Sequence, residues 1–190
     1  MPAPLGDPTR HRRLADLEAG LRALAPAPTD LGTLELIVRR RPDGVRETPE
    51  RVRLTHEDGV PGDDWSRRPP QDPEAQLAVM QHAVATLIAN GQPVTVFGDN
   101  LFVDLDLSAQ NLPTGTRLRV GDAVVQVTPK AHNGCKKFLA RFGADGLTLV
   151  QAPPTRHLNL RGIYWKVVEP GDVHVGATIT VLARPSAPVG

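Results

Sequence analysis

The chain predicts a mainly β fold, a β-barrel with a few peripheral α-helices. Two observations carry this. Proline (19) and glycine (17) are scattered as punctuation between short apolar segments, the pattern of a many-turned β architecture rather than a helical bundle. Several of those segments alternate apolar and polar residues, and closing them into a barrel hides their strand edges best.

Taken in order, Asp7-Pro8 offers a cap and an early proline. Leu14, Leu17, Leu21 and Leu24 then recur at helical spacing until Pro26 ends the run, which predicts a helix. Leu34, Leu36 and Val38 alternate with polar neighbours, Arg41-Pro42-Asp43-Gly44 supplies turn chemistry, and Arg51 to Leu54 resumes the alternation; a hairpin is expected. Gly59-Val60-Pro61-Gly62-Asp63 reads as another turn, and Trp65 to Gln71 as a polar, proline-rich surface loop positioned to cover a site. From Pro73 to Asn90, Leu77, Met80, Val84, Leu87 and Ile88 form one helical stripe, stopped by Asn90-Gly91. Strands are then expected at 94–97, 101–105, 117–120, 123–128, 147–151, 162–168 and 178–182. Pro113-Thr114-Gly115, Gly121-Asp122 and Pro170-Gly171 separate several of them. The resulting organisation is a helical extension over 1–30, a barrel domain over 31–184 and a flexible tail over 185–190.

Bulk properties remove several function classes. A length of 190 residues suits one hydrophobic core, and the 40% apolar and 23% charged content is ordinary for a globular chain. A formal charge of +1 gives no broad reason to expect nucleic acid or an acidic membrane, so any anion site must be local. No apolar run approaches the roughly 20 residues that span a bilayer. A single cysteine rules out an intrachain disulfide and suits a reducing compartment, so the cytoplasm is expected.

The segment from Lys130 to Phe142 is the richest in chemistry. It follows an expected strand and opens a helix at or just before Cys135. A thiol there feels the positive end of the helix together with Lys136, Lys137, Arg141 and a protonated His132, a setting that favours thiolate and hence nucleophilicity or metal ligation. The alternative is a cysteine packed as a small hydrophobe. Phe138 and Phe142 share the apolar face of the same helix. Gly98-Asp99-Asn100 forms a second polar group, suited to a ligand or to closing a turn. Arg156, His157, Asn159, Arg161 and Gly162 form a third, where the planar fork of Arg161 suits phosphate. His132, Cys135 and His157 lack the second Cys or His pair of a structural zinc site. The phosphate-binding Gly-x-x-x-x-Gly-Lys loop, the Gly-x-Ser-x-Gly elbow and the His-Glu-x-x-His pair are all missing.

With these residues in place the chain resembles a MOSC domain, the module named for the C-terminal region of molybdenum cofactor sulfurases and found as stand-alone bacterial proteins. The resemblance runs from about Leu31 to Leu182. It rests on Gly59 to Asp63, Gly98-Asp99-Asn100-Leu101, Leu112 to Thr116, Gly121-Asp122, the Cys135 segment, Arg161-Gly162-Ile163-Tyr164, Pro170-Gly171 and Gly176. It implies a barrel that binds the molybdenum cofactor (molybdopterin) or handles sulfur for it, with Cys135 as molybdenum ligand or sulfur carrier. Cys135 and His132 are then the expected catalytic residues. Lys130, Lys136, Arg141 and Arg161 would neutralise the cofactor phosphate, while Asp99, Asn100 and Gly162 would contact the cofactor. Reductase-type members reduce N-hydroxylated compounds, whereas sulfurase members receive sulfur from a pyridoxal-phosphate desulfurase domain, for which this chain has no room. Two roles therefore stay open, a molybdenum cofactor-dependent oxidoreductase and a noncatalytic persulfide carrier. The expected partners are a redox or sulfur-donor protein and a small-molecule substrate, with a homodimer as one way to complete the site.

Overall fold

Seven strands close on themselves in the order β1-β11-β7-β8-β9-β5-β6. In this computed structural model, which describes residues 6–67 and 69–185, they are β1 (Leu31–Ile37), β5 (Leu77–Gln81), β6 (Leu101–Asp104), β7 (Arg117–Val120), β8 (Ala123–Val127), β9 (Ile163–Glu169) and β11 (Thr178–Ala183). Every pairing around the barrel is antiparallel except β5 with β6, which is parallel. Two small sheets sit beside it, β2 (Arg39–Arg40) with β3 (Arg46–Glu47), and β4 (Arg51–Leu54) with β10 (Gly171–His174). The helices are α1 (Leu14–Ala23), α2 (His82–Ala89) and α3 (Lys136–Gln151).

The expected barrel is what forms, and the alternation in the sequence is what builds it. Along β7, Leu118 and Val120 are buried while Arg117 and Arg119 are exposed; β9 buries Ile163, Trp165 and Val167 in the same way. These side chains fill one core with Leu34, Leu77, Val79, Leu101 and Val103. A second core lies outside the barrel, where Met80 of β5 and Phe102 of β6 meet Leu17, Val84, Ile88, Phe138, Phe142 and Leu149 from the three helices. Strands β5 and β6 are thus buried on both faces.

That double burial explains the largest correction. The Pro73–Asn90 stripe is not one helix: Pro73–Ala75 is a 3-10 turn, Leu77–Gln81 is a strand, and only His82–Ala89 is helical, ending on Asn90 in the left-handed conformation. A strand covered on both sides has a continuous apolar run, which periodicity cannot separate from a helix. The expected hairpin keeps its turn but changes its arms. Arg39–Arg40 pairs with Arg46–Glu47, and Arg51–Leu54 goes to Gly171–His174 because both edges of β1 are already taken by β11 and β6. Residues 94–97, expected as a strand, make the 3-10 turn Val94–Val96, whose hydrogen bonds close locally on Pro93 and Val94. Residues 147–151 are the last part of α3, which turns at Gly143 (φ 78°) and continues, so that Leu149 and Val150 reach the second core. The first expected helix is split into a 3-10 turn capped by Asp7 and α1. The tail, from 186 onward, and residues 1–5 lie outside the described residues.

One polar side chain stitches the β5 end of the barrel. Buried Asn100 accepts from Ala78 N at 3.1 Å and donates to Val38 O at 3.3 Å, beside backbone bonds from Asn100 N to Ala78 O and from Val38 N to Asn100 O. Asn100→Ala strands buried backbone groups and is expected to cost about 2–4 kcal/mol. Urea denaturation checks this, and a loss within about 0.5 kcal/mol, the level of an ordinary surface change, would contradict it.

Candidate functional site

A cleft of about 530 Å³ opens where the start of α3, the β2–β3 turn and the loop before β6 converge. Each contributes for a local reason. Cys135 occupies the N-cap of α3 with an extended backbone and no side-chain capping bond, so its exposed thiol is not consumed by its own helix. Pro42–Gly44 turns the chain so that Arg40, Arg41 and Arg46 flank one opening. Gly98 (φ 86°) brings backbone to the floor, and an added Cβ would sit 3.6 Å from Arg141 Nη1 and 3.7 Å from Arg46 Nη2. Its missing side chain leaves room between two guanidinium groups.

The lining carries Arg40, Arg41, Arg46, Lys137, Arg141 and Arg161, but these cations are not equivalent. Arg40 is neutralised by buried Asp63, with Nε 3.0 and 3.1 Å from its two oxygens, and Arg40 Nη1 also donates to Gly98 O at 3.1 Å. Arg161 is neutralised by fully buried Asp99, with Nη1 3.0 and 2.8 Å from the two carboxylate oxygens. Arg41 meets Glu47 at 3.3 Å. Arg46 and Arg141 have no carboxylate partner among the described residues: Arg46 donates only to carbonyls of its own turn and Arg141 to Phe97 O. Burial pushes both guanidinium pKa values down, and for Arg46 the charges of Arg141 and Arg40 push the same way. The buried Nε of Arg46 has no hydrogen-bond partner. Two crowded guanidiniums without a carboxylate hydrogen-bond partner, facing a cavity that also carries Asp64, have the chemistry to pair with an anion.

His132 and Tyr164 form another wall, their rings 4.3 Å apart. Burial, and then the Arg161 charge, hold the His132 pKa down at about 3 against the attraction of Asp99. Although His132 Nδ1 lies 3.5 Å from Asp99 Oδ1, it makes no hydrogen bond, because that carboxylate is occupied by Arg161. Burial also raises the Tyr164 phenol, which keeps its proton at neutral pH.

Of the residues singled out in the sequence, Cys135, His132, Arg141 and Arg161 line this cleft together. Asp99 lies beneath Arg161, and both amide groups of Asn100 are engaged by backbone. Gly162 (φ 98°) is a point of close approach, since a Cβ there would meet Val79 O at 2.1 Å. Lys130 pairs instead with Asp72 on the exposed surface, and Lys136 is exposed and lies off the lining, to which Lys137 belongs. The sequence reading missed Arg40 and Arg46 and gave Tyr164 no role of its own, whereas Lys137, named there beside the thiol, does lie on the lining. The only signal for the first two was the density of arginine around the 41–44 turn, which becomes a site only once β2 and β3 pair.

The neutral His132 has a consequence for stability. An imidazole in the unfolded chain gains its proton near pH 6.5, whereas His132 resists until about 3, so its contribution is complete above 6.5 and is lost as pH falls toward 3. The added slope is at most about 1.4 kcal/mol per pH unit. Unfolding free energies at several pH values below neutrality should fall faster for wild type than for His132→Gln; parallel curves would refute the assignment.

The comparisons with known proteins agree with the fold. Among solved structures, a YUAD protein from Bacillus subtilis superposes with a TM-score of 0.59 at 18% identity, covering 82% of this chain and 97% of that one. YiiM from Escherichia coli gives 0.52 at 22% identity over 81% of this chain and 72% of that one. YiiM from Geobacillus stearothermophilus gives 0.54 at 18% identity over 80% and 76%. At these identities the likeness is one of fold. In sequence, the uncharacterized protein YflK of Bacillus subtilis is 33% identical over 88 residues, which are 46% of this chain and 37% of that relative's length. The MOSC domain pattern matches residues 62–180, which include the Gly98–Asn100 turn, the Cys135 segment and Arg161–Tyr164, and the chain belongs to the MOSC domain family.

Proposed function

We propose that the cleft binds a molybdenum cofactor by its anionic, phosphate-bearing part, with Cys135 as the protein's thiolate ligand to the metal, and that the chain acts as a small oxidoreductase. The observation that carries this reading is the placement of an exposed cysteine on the same cleft as two guanidiniums without carboxylate partners. The donor set fits such a group. Among the described residues no cluster of His, Cys, Asp or Glu is built to hold a metal by itself, so the metal would arrive with ligands of its own and take one soft thiolate from the protein. Arg46 and Arg141 would hold the anionic part, and Gly98 keeps the space between them open.

When bound, the cofactor supplies redox chemistry at the metal, and electrons come from a partner protein. The chain's own residues do the rest. Tyr164 presents a protonated hydroxyl from the wall beside His132, suited to donating a hydrogen bond to a substrate oxygen. His132, neutral through the physiological range, adds no charge to the site. N-hydroxylated small molecules are the substrate class this reading favours. The exposure of Cys135 supports a second reading, in which the thiol carries a persulfide received from a sulfur-donor protein and no cofactor is retained.

Metal and pterin analysis separates the two. Wild-type protein from a cofactor-competent host, purified without oxygen, is expected to hold near-stoichiometric molybdenum, lost in Cys135→Ser. No molybdenum in either protein would reject the cofactor-retaining reading, and persulfide on Cys135 would then identify the carrier. The double variant Arg46→Gln/Arg141→Gln is expected to hold pterin about tenfold less tightly or worse, with unfolding monitored in parallel; unchanged pterin retention would remove these arginines from the site.

A further inference from the structure

A second hollow, of about 430 Å³, adjoins the cleft and shares His132, Asn133 and Arg161 with it. Its remaining wall comes from Gln151 and Val150 at the end of α3 and from Arg156 and Asn159 in the 3-10 segment Pro153–Leu158 and its cap. The charge here differs from that of the cleft. Arg161 is already neutralised by Asp99, and His132 is neutral. Arg156 is exposed and has no acidic partner among the described residues, and no acidic side chain lines the hollow. One net positive charge therefore faces the space.

Two further features mark it as a built site. The Arg161 side chain is only 9% exposed and that of His132 only 6%, yet Arg161 Nε and His132 Nδ1 have no hydrogen-bond partner. Buried polar atoms normally find partners, and two orphans on one shared wall call for a ligand group. Two amides on the lining are held in place: Gln151 Nε2 donates to Gly134 O at 3.0 Å and Asn159 Nδ2 to Leu107 O at 2.8 Å. These bonds fix the direction of both side chains along the wall.

We infer that this second hollow is a separate binding site for a small oxyanion, a carboxylate or a phosphate, recognised by Arg156 and by the unpartnered nitrogen of Arg161. The site does not depend on the cofactor reading of the neighbouring cleft.

Titration of isotopically labelled full-length protein with acetate, and separately with inorganic phosphate, followed by backbone amide NMR, tests the inference. Saturable shifts are expected at residues 131–133 and 150–159, and the anion that saturates them at lower concentration identifies the acid group. Arg156→Gln should weaken these shifts about tenfold or more, whereas Arg46→Gln, across the cleft, should leave them unchanged. No saturable shift in this segment, or a response that survives Arg156→Gln, would overturn the site. A response lost with Arg46→Gln instead would also overturn it, by placing the anion in the cleft. Shifts around Gly98 and residues 41–46 report the cleft itself, so failure of the cofactor reading is seen separately.

Discussion

The buried ion pair of Asp99 with Arg161 is the constraint on which the rest of the site depends. Asp99 sits in the turn that feeds β6, and Arg161 just precedes β9, so the bidentate contact ties two segments that flank β5 from either side. The Arg161 guanidinium also lies 5.3 Å over the Phe138 ring, which couples the pair to the first turn of α3. Removing one partner would leave a desolvated charge, a loss that usually exceeds what the pair contributes when intact. The pair also decides the state of His132. Because Asp99 is saturated by Arg161, it cannot compensate burial of an imidazolium, and the ring stays neutral.

The same accounting explains why the cleft is locally basic although the chain as a whole is close to neutral, at +1. Asp63 and Asp99 are each spent on one arginine, Arg40 and Arg161. Arg46 and Arg141 are left without a carboxylate partner among the described residues; burial disfavours both charges, and Arg141 and Arg40 repel Arg46 while Arg161 repels Arg141. An anion in the cleft would offset that repulsion. Sparse, partly buried charge of this kind is screened by salt less than a basic surface patch would be.

Much of the architecture was legible because period-two alternation leaves little choice of buried face. β7 and β9 follow from it almost residue by residue. It failed where burial is two-sided, as in β5, and where pairing depends on partners far away in sequence, as for β4 with β10. Of the site, the Cys135 segment stood out through composition, and four of the predicted residues do share the cleft. Asn100 and Gly162 were also conspicuous, but the structure engages Asn100 in backbone hydrogen bonds and Gly162 in a close backbone approach, which a short polar motif cannot distinguish from ligand contact. Lys130 shows the opposite limit, since its exposed side chain is directed by one local partner, Asp72, rather than by sequence spacing.

The N-terminal segment gains a role from this arrangement even though the family match begins at residue 62. Gly6 packs so tightly on the Arg141 backbone that a Cβ would lie 2.2 Å from its carbonyl oxygen. His11 Nε2 sits 3.2 Å from that same oxygen, and its ring covers Gly143, where α3 turns with φ 78°. Leu14 N donates to Asp145 Oδ2 one turn further on, and Leu17 enters the core shared with Phe138 and Phe142. The break in α3 therefore lies two residues beyond an arginine of the cleft and is held from outside by a segment remote in sequence. Arg141 owes its position to that brace as much as to its own helix, because a helix interrupted by a glycine cannot fix the direction of its preceding turn alone. Arg141, one of the two cleft arginines without a carboxylate partner among the described residues, thus has its backbone carbonyl packed against Gly6 and His11.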